Sequence, residues 1–243
     1  MSLITLKRLF INESFSNSEN IILNKDQTHY LINVMRLKPN NEIKIFNGMD
    51  GEWLAKISSV RKSETVIILE EQLREQEDLP EVELMFAPLK KDETDFVIQK
   101  ATELGVTKIS PIITKRTNAA RVNIDRLTAN AIEASEQCER LSVPEIVRER
   151  NLDTAVNRIS KDATLFFLDE RGEGLPIKDA FNKTANSPVF LIGPEGGFDE
   201  VERTFLLNQK AVIPITLGSR ILRAETACMA ALACWQAISG DWQ

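Results

Sequence analysis

The sequence predicts an α/β protein: a carboxy-terminal α/β domain with a mostly parallel sheet, preceded by a small β-rich module. Three observations carry this reading. Between Glu42 and Leu69, short segments alternate apolar and polar residues in period two and are separated by turn residues, the signature of a small antiparallel sheet or barrel. From Val82 onward, apolar strand-like runs alternate with amphipathic helical ones, which implies a mostly parallel sheet. Between the two lies Glu70 to Pro80, polar, charged and closed by a proline. Such a stretch marks a domain boundary, so the expected domains are 1–75 and 80–243; a solvated helix end is the alternative.

In the first module, Leu6 to Ile11 reads as a strand. Asp26 is the expected N-cap of a short helix over Gln27 to Arg36, and Pro39-Asn40-Asn41 is the turn that ends it. Glu42 to Phe46, Trp53 to Ile57 and Glu64 to Leu69 are strands, with a turn at Asn47-Gly48. Small barrels of this kind commonly read nucleic acid, and Lys7, Arg8, Arg36, Lys38, Lys44 and Lys56 are candidate phosphate contacts. A solvated strand face is the plainer account of most of them.

In the second module, Val82 to Ala87 is a strand and Asp92 to Leu104 a helix closed by Gly105. Val106 to Ile113 is a strand broken by Pro111, Ile124 to Cys138 a long helix, Ile146 to Arg148 a short strand and Leu152 to Ile159 a helix. The apolar strand Ala163 to Leu168 ends in the loop Asp169 to Gly174. Next, Val189-Phe190-Leu191-Ile192 ends abruptly in Gly193-Pro194-Glu195-Gly196-Gly197, and a helix opens with Asp199 and, three residues on, Glu202. That spacing is a capping box. Ala211 to Ile215 is the last strand, followed by a second glycine loop, Leu217 to Arg223, and an apolar helix to about Ile238. Three strand ends, Leu168, Ile192 and Leu217, therefore point to one place, and ligands of open α/β sheets sit there. The loops lack both the G-x-G-x-x-G and the Gly-Lys-Ser/Thr nucleotide fingerprints.

Composition narrows the classes. The chain has 243 residues, of which 43% are hydrophobic and 27% charged, values of a soluble globular protein. No apolar run has membrane-spanning length, and no h-region or cleavage site marks the first residues as a signal peptide, so the expected location is the cytoplasm, with no membrane partner. The three cysteines, Cys138, Cys228 and Cys234, and the single histidine, His29, have no metal-ligand spacing; no metal is expected. A net charge of −6 argues against a generic nucleic-acid binder, while leaving room for a local basic face.

Leu191 to Gly197 and Leu217 to Ala227 resemble the two signature motifs of the 16S ribosomal RNA uridine-N3 methyltransferases of the SPOUT (trefoil-knot) superfamily. The family usually has Thr at Ala224. Further matches are Gln99 to Val106 with Pro111, Asn130 to Arg140 with Val143-Pro144-Glu145, and His29, Val34 to Leu37 and Phe46-Asn47-Gly48 in the first module. The resemblance implies a PUA-like RNA-binding barrel followed by a knotted SPOUT domain, S-adenosylmethionine (AdoMet) bent in the knotted crevice, a homodimer packed through that domain, and 16S rRNA, within the 30S subunit, as substrate. It places AdoMet on Leu168, Leu191, Ile192, Gly193, Pro194, Glu195, Gly196, Gly197, Leu217, Gly218, Ile221, Leu222 and Thr226. Arg8 and Arg36 become candidates for RNA contact, and Lys90, Lys100, Glu103, Arg116, Gln137 and Arg140 candidates for RNA contact or for the dimer interface.

The implied reaction moves a methyl group to N3 of uracil, whose proton must leave. With N3 titrating roughly two units above neutrality, ionisation costs about 3 kcal/mol. A cation beside the developing uridinate recovers part of that, and a carboxylate can accept the proton. Arg223 is the expected cation, with Arg8 as a second; Glu225 or Glu195 is the base or orients the arginine. The rivals are a non-catalytic RNA-binding protein on the same scaffold and a SPOUT methyltransferase acting on tRNA.

Overall fold

The computed structural model describes residues 6–15, 19–61, 64–118, 121–181 and 187–242. Two compact units form: Met1–Asp78 with Ser135–Val143, and Leu79–Ala134 with Pro144–Gln243. Nothing in the local pattern of Ser135–Val143 assigns it to the first unit, since it is the last turn of a regular helix and the loop after it.

The first unit contains β1 (Arg8–Phe10), β2 (Asn20–Leu23), α1 (Lys25–Thr28), β3 (Glu42–Phe46), β4 (Glu52–Arg61) and β5 (Glu64–Arg74). The strand order is β1-β3-β4-β5-β2, with β1 parallel to β3 and every other pair antiparallel. Leu9, Leu23, Ile43, Ile45, Ala55, Ile57 and Ile67 are buried in one cluster with Leu31. Every strand contributes to it, so the sheet curls about a single core. Three local expectations change. The helix N-cap is Asn24 rather than Asp26: Asn24 and Gln27 exchange side-chain bonds with each other's backbone N–H at 2.9 and 3.0 Å, a reciprocal arrangement Asp26 has no partner for. Beyond Thr28 the chain continues as a π-helix, His29–Val34. Finally β5 reaches Arg74, because Gln72 and Arg74 pair with Trp53 and Glu52 of the long β4; cross-strand partners override the polar composition. Asn40 holds the turn with φ 72°, a conformation asparagine tolerates.

The second unit contains β6 (Glu83–Phe86), α2 (Lys91–Glu103), β7 (Lys108–Ile113), most of α3 (Ile124–Gln137), β8 (Glu145–Ile146), β9 (Arg150–Asn151), α4 (Leu152–Val156), β10 (Thr164–Leu168), β11 (Leu175–Pro176), α5 (Ile177–Phe181), β12 (Pro188–Ile192), α6 (Glu200–Leu207), β13 (Val212–Thr216) and α7 (Ala224–Ile238). Its sheet runs β11-β13-β10-β12-β6-β7-β8, with β9 also beside β7, and every pairing is parallel. Alternation along the strands covers both faces, as a parallel sheet requires. Leu165, Phe167, Val189 and Leu191 pack with α4 and α6 residues on one side. On the other, Phe166 stacks on Phe190 at 5.6 Å and both meet Trp235 of α7.

Pro111 does not break β7. The outer neighbour of β7 changes there from β8, paired at Ile109, to β9, paired at Ile112, so the missing N–H falls in a gap of the ladder. From β12 the chain crosses β10 to reach β13, and α7 then returns to pack on β12 and α2. No described helix is long and apolar enough to cross a membrane.

Candidate active site

The carboxyl ends of β10, β12 and β13 lie side by side in register. Above them opens a cleft of about 600 Å³, walled by the loops that follow these strands and by the start of α2. That size suits a small-molecule cofactor.

The loop after β12 is shaped by its glycines. A Cβ on Gly193 would stand 2.6 Å from the Phe198 ring, and Phe198 is buried in the core beneath, so the loop can lie this close only without a side chain. Gly197 has φ 67° and closes a turn onto the Pro194 carbonyl at 2.9 Å. Then α6 starts with the expected capping box: Glu202 N–H donates to Asp199 at 2.8 Å and Asp199 N–H to Glu202 at 3.0 Å.

That helix start ties in two neighbouring loops. Glu202 also accepts the Lys115 N–H at 2.7 Å, and Arg116 donates to the Gly196 carbonyl at 2.6 Å. On the other side Arg203 of α6 donates to Asp169 from Nε at 3.2 Å and Nη2 at 2.8 Å, and to Glu173 at 2.6 Å. The Asp169 side chain is 1% exposed. These carboxylates, Asp169 foremost, push the Arg203 pKa further up. Arg171 and Glu200 form a second ion pair between the same loop and helix. The cleft walls are thus braced to one short helix.

The loop after β13 is less braced. Thr216 Oγ1 accepts from Gly218 N–H at 3.2 Å, and the Arg223 carbonyl accepts the first helical bond of α7 from Ala227 at 2.8 Å. Arg223 is the N-cap and Glu225 lies in the first turn, so neither Glu225 nor Thr226 caps the helix. The Arg223 side chain is 85% exposed and the Glu225 side chain 18%, with 4.0 Å between their nearest charged atoms. The arginine therefore remains available to a substrate. Burial, with the Glu225 charge adding to it, pushes the Cys228 thiol well up, which leaves it a protonated, unreactive core residue.

The cleft brings together Leu168, Ile192, Gly193, Pro194, Glu195, Gly196, Gly197, Leu217, Gly218, Ile221, Leu222, Arg223 and Glu225. Two expected residues stand apart from its lining: Leu191 is fully buried in the core beneath, and Thr226 is exposed on α7. Lys90 lines the cleft, as does Glu93, which sequence reasoning missed. Asp169, Glu170 and Arg220 were also missed as site residues. For Asp169 and Glu170 the signal was present, since they follow directly on a strand end already assigned to the site. Glu93 follows β6, whose neighbour is β12.

The proposed RNA ligands are occupied unequally. Arg8 is 6% exposed. It donates to Glu52 at 2.6 Å, to the Ser135 and Glu136 carbonyls at 2.7 and 3.2 Å, and to Arg140 O at 2.9 Å. Its guanidinium carbon also lies 4.2 Å from the centre of the Phe46 ring. Arg8, expected as a second cation and an RNA contact, is an internal strut of the first unit, joining the sheet to Ser135–Val143. Arg140 bonds Ser142 at 3.1 Å and Lys100 pairs with Glu103 at 2.8 Å. Arg36 is exposed with φ 57°. Arg116 is exposed too, but its guanidinium holds the Gly196 carbonyl.

The cleft residues suit AdoMet. Leu168, Ile192, Leu217, Ile221 and Leu222 offer an apolar slot, the glycines expose backbone polar groups, and Glu93, Glu195 and Glu225 are acidic groups for a cationic ligand.

Residues 75–236 match the model of an RNA methyltransferase domain, and residues 23–70 that of an RNA methyltransferase PUA domain. The chain is 37% identical over 228 residues to ribosomal RNA small subunit methyltransferase E of Rickettsia conorii, covering 93% of each protein. Among solved structures, it resembles a ribosomal RNA small subunit methyltransferase E from Neisseria gonorrhoeae bound to S-adenosyl methionine, with TM-score 0.86 and 27% identity over 98% of this chain and 100% of that one. It also resembles a putative methyltransferase from Legionella pneumophila in complex with SAM, with TM-score 0.86 and 26% identity over 96% of this chain and 97% of that one.

Proposed function

The chain belongs to the ribosomal RNA small subunit methyltransferase E family, and on that premise we propose that it methylates N3 of a uridine in 16S rRNA, with AdoMet as the donor. The observation that carries this reading is the cleft at the ends of β10, β12 and β13, with an exposed arginine at its rim. When bound, AdoMet supplies an activated methyl group on its sulfonium.

The chain's own residues do the rest. The apolar side chains from Leu168 to Leu222 and the backbone of Gly193 to Gly197 hold and orient the donor, which converts a bimolecular encounter into a positioned one. Arg223 stabilises the negative charge that develops on the uracil as N3 loses its proton. Glu225, half-screened beside it, accepts that proton or aims the guanidinium; Glu195 is the alternative acceptor, exposed on the opposite wall. Asp169 is excluded from this role by its full engagement with Arg203. The first unit, with Arg36 exposed on it, supplies RNA contact.

The proposal includes a homodimer through the second unit. Met229, Ala230, Ala233 and Ile238 of α7 are only partly covered while Cys228, Ala231, Leu232 and Trp235 are buried, which leaves an apolar helix side for a partner copy. It also places the protein in the cytoplasm, with the assembled 30S subunit as substrate.

The test is to supply purified 30S subunits, naked 16S rRNA and tRNA with methyl-labelled AdoMet and map the product by mass spectrometry. Label on N3 of one uridine of 16S rRNA is expected. Label on tRNA only, on another atom, or nowhere would overturn the reading.

A further inference from the structure

The acidic balance of the chain poses a problem for an RNA enzyme, and the outer edge of the second unit's sheet answers it. There Arg148, Arg150 and Arg158 line one shallow depression, together with Lys108 and Glu83. The two-residue strands β8 and β9 make this edge, and Arg148 lies in the stretch between them. Arg148 and Arg158 are exposed and Arg150 partly so.

The charges within the depression do not cancel. Glu83 is already taken: it accepts from Ser110 Oγ at 2.5 Å and from Lys108 Nζ at 3.1 Å. Among the described residues no ion pair within 4.0 Å involves Arg148, Arg150 or Arg158. Arg126, Arg171 and Arg203 of the same unit do form such pairs. Glu149, between two of the arginines in sequence, is absent from the lining, as alternation along an extended edge dictates. Three uncompensated guanidiniums on one concave edge favour a repeating anion, since each can take a phosphate oxygen pair.

We propose that this edge is a second rRNA contact, holding the sugar–phosphate backbone of the substrate away from the methyl-transfer cleft. The inference rests on the proposed function for the identity of the polyanion. The contact is sequence-independent, so it adds affinity and orientation rather than choice of base. None of the three arginines lies in the cleft, so the donor site is unaffected by their loss.

The experiment compares the full-length protein with its Arg148→Gln/Arg150→Gln/Arg158→Gln and triple-Lys variants. Binding to 30S subunits and to 16S rRNA is titrated across a series of KCl concentrations, alongside AdoMet calorimetry and thermal melts. Loss of about three phosphate contacts should flatten the slope of log affinity against log salt by roughly 2 to 3 and weaken binding by on the order of tenfold at moderate salt. The Lys variant should keep most of the slope, and AdoMet affinity should match wild type in both. An unchanged slope and affinity in the Gln variant would overturn the proposal, as would self-association of that variant with RNA binding intact, which would make the arginines guards of an open sheet edge. Methylation of rRNA with an unaltered slope sinks this surface alone. A flattened slope in a protein that never methylates rRNA sinks the proposed function alone.

Discussion

Arg8 and Arg223 show what a single residue type can and cannot reveal. Both are arginines in motif-like surroundings. One is an enclosed strut with four donated hydrogen bonds, the other an exposed side chain at a cleft rim. Only the fold separates them, because burial depends on Ser135–Val143 closing over Arg8. Arg223→Ala should keep AdoMet affinity within about twofold and lower the methylation rate on the order of 10²-fold, the size of a lost electrostatic donor; single-turnover kinetics with calorimetry would check it. Arg8→Ala should instead act through stability. Among the described residues it leaves buried Glu52 paired with Lys44 alone, 3.7 Å away, and breaking a buried pair costs about 3 kcal/mol or more, so the melting temperature should fall. Asp50 carries a pH prediction. It accepts from Phe15 N–H at 2.8 Å and Asn47 Nδ2 at 2.7 Å, and these bonds hold its carboxyl below the usual carboxylate range. Its folded pKa is thus lower than its unfolded one. Its stabilisation is present above the unfolded value and is lost as pH falls through the folded one. The stability gap between wild type and Asp50→Asn, measured by urea titration, should close as pH falls below about 4.

At the scale of elements, periodicity carried most of the architecture. The strands β6, β10, β12 and β13 and the helices α2, α3, α6 and α7 were legible because each is long or sharply bounded, and Asp199 with Glu202 fixed the start of α6. The two-residue β9 and β11 and the five-residue α5 were not, since they repeat no period and exist only by pairing with neighbours. The same limit hid the bracing of α6. Arg203, Glu202 and Arg116 reach loops between 30 and 87 residues away, and no local pattern records such partners. This bracing makes a prediction: Arg203→Met strands Asp169 as a buried carboxylate at the cleft wall. AdoMet affinity should fall about tenfold or more while Arg203→Lys, which keeps the charge and one bond, recovers part of it. Calorimetry on both variants, below their melting temperatures, would decide. Equal affinity in wild type and Arg203→Met would mean that the ion pair only stabilises the helix.

For the whole molecule, the second unit places its functional cleft where a parallel sheet must: at the carboxyl ends of adjacent strands, with loops short enough to keep their glycines close. The position of the cleft followed from strand ends alone. Its acidic contributor Glu93, and the tenancy of Ser135–Val143 in the first unit, required the assembled fold. Whether this cleft binds the methyl donor is decided by titrating AdoMet calorimetrically into the wild-type protein and Ala227→Trp. Ala227 lines the cleft from within α7, so the indole adds bulk without straining the helix. Wild type should bind one AdoMet per chain and the variant at least about tenfold more weakly, since the added ring removes space the ligand needs. No binding by wild type, or equal binding by both, would contradict donor binding in this cleft.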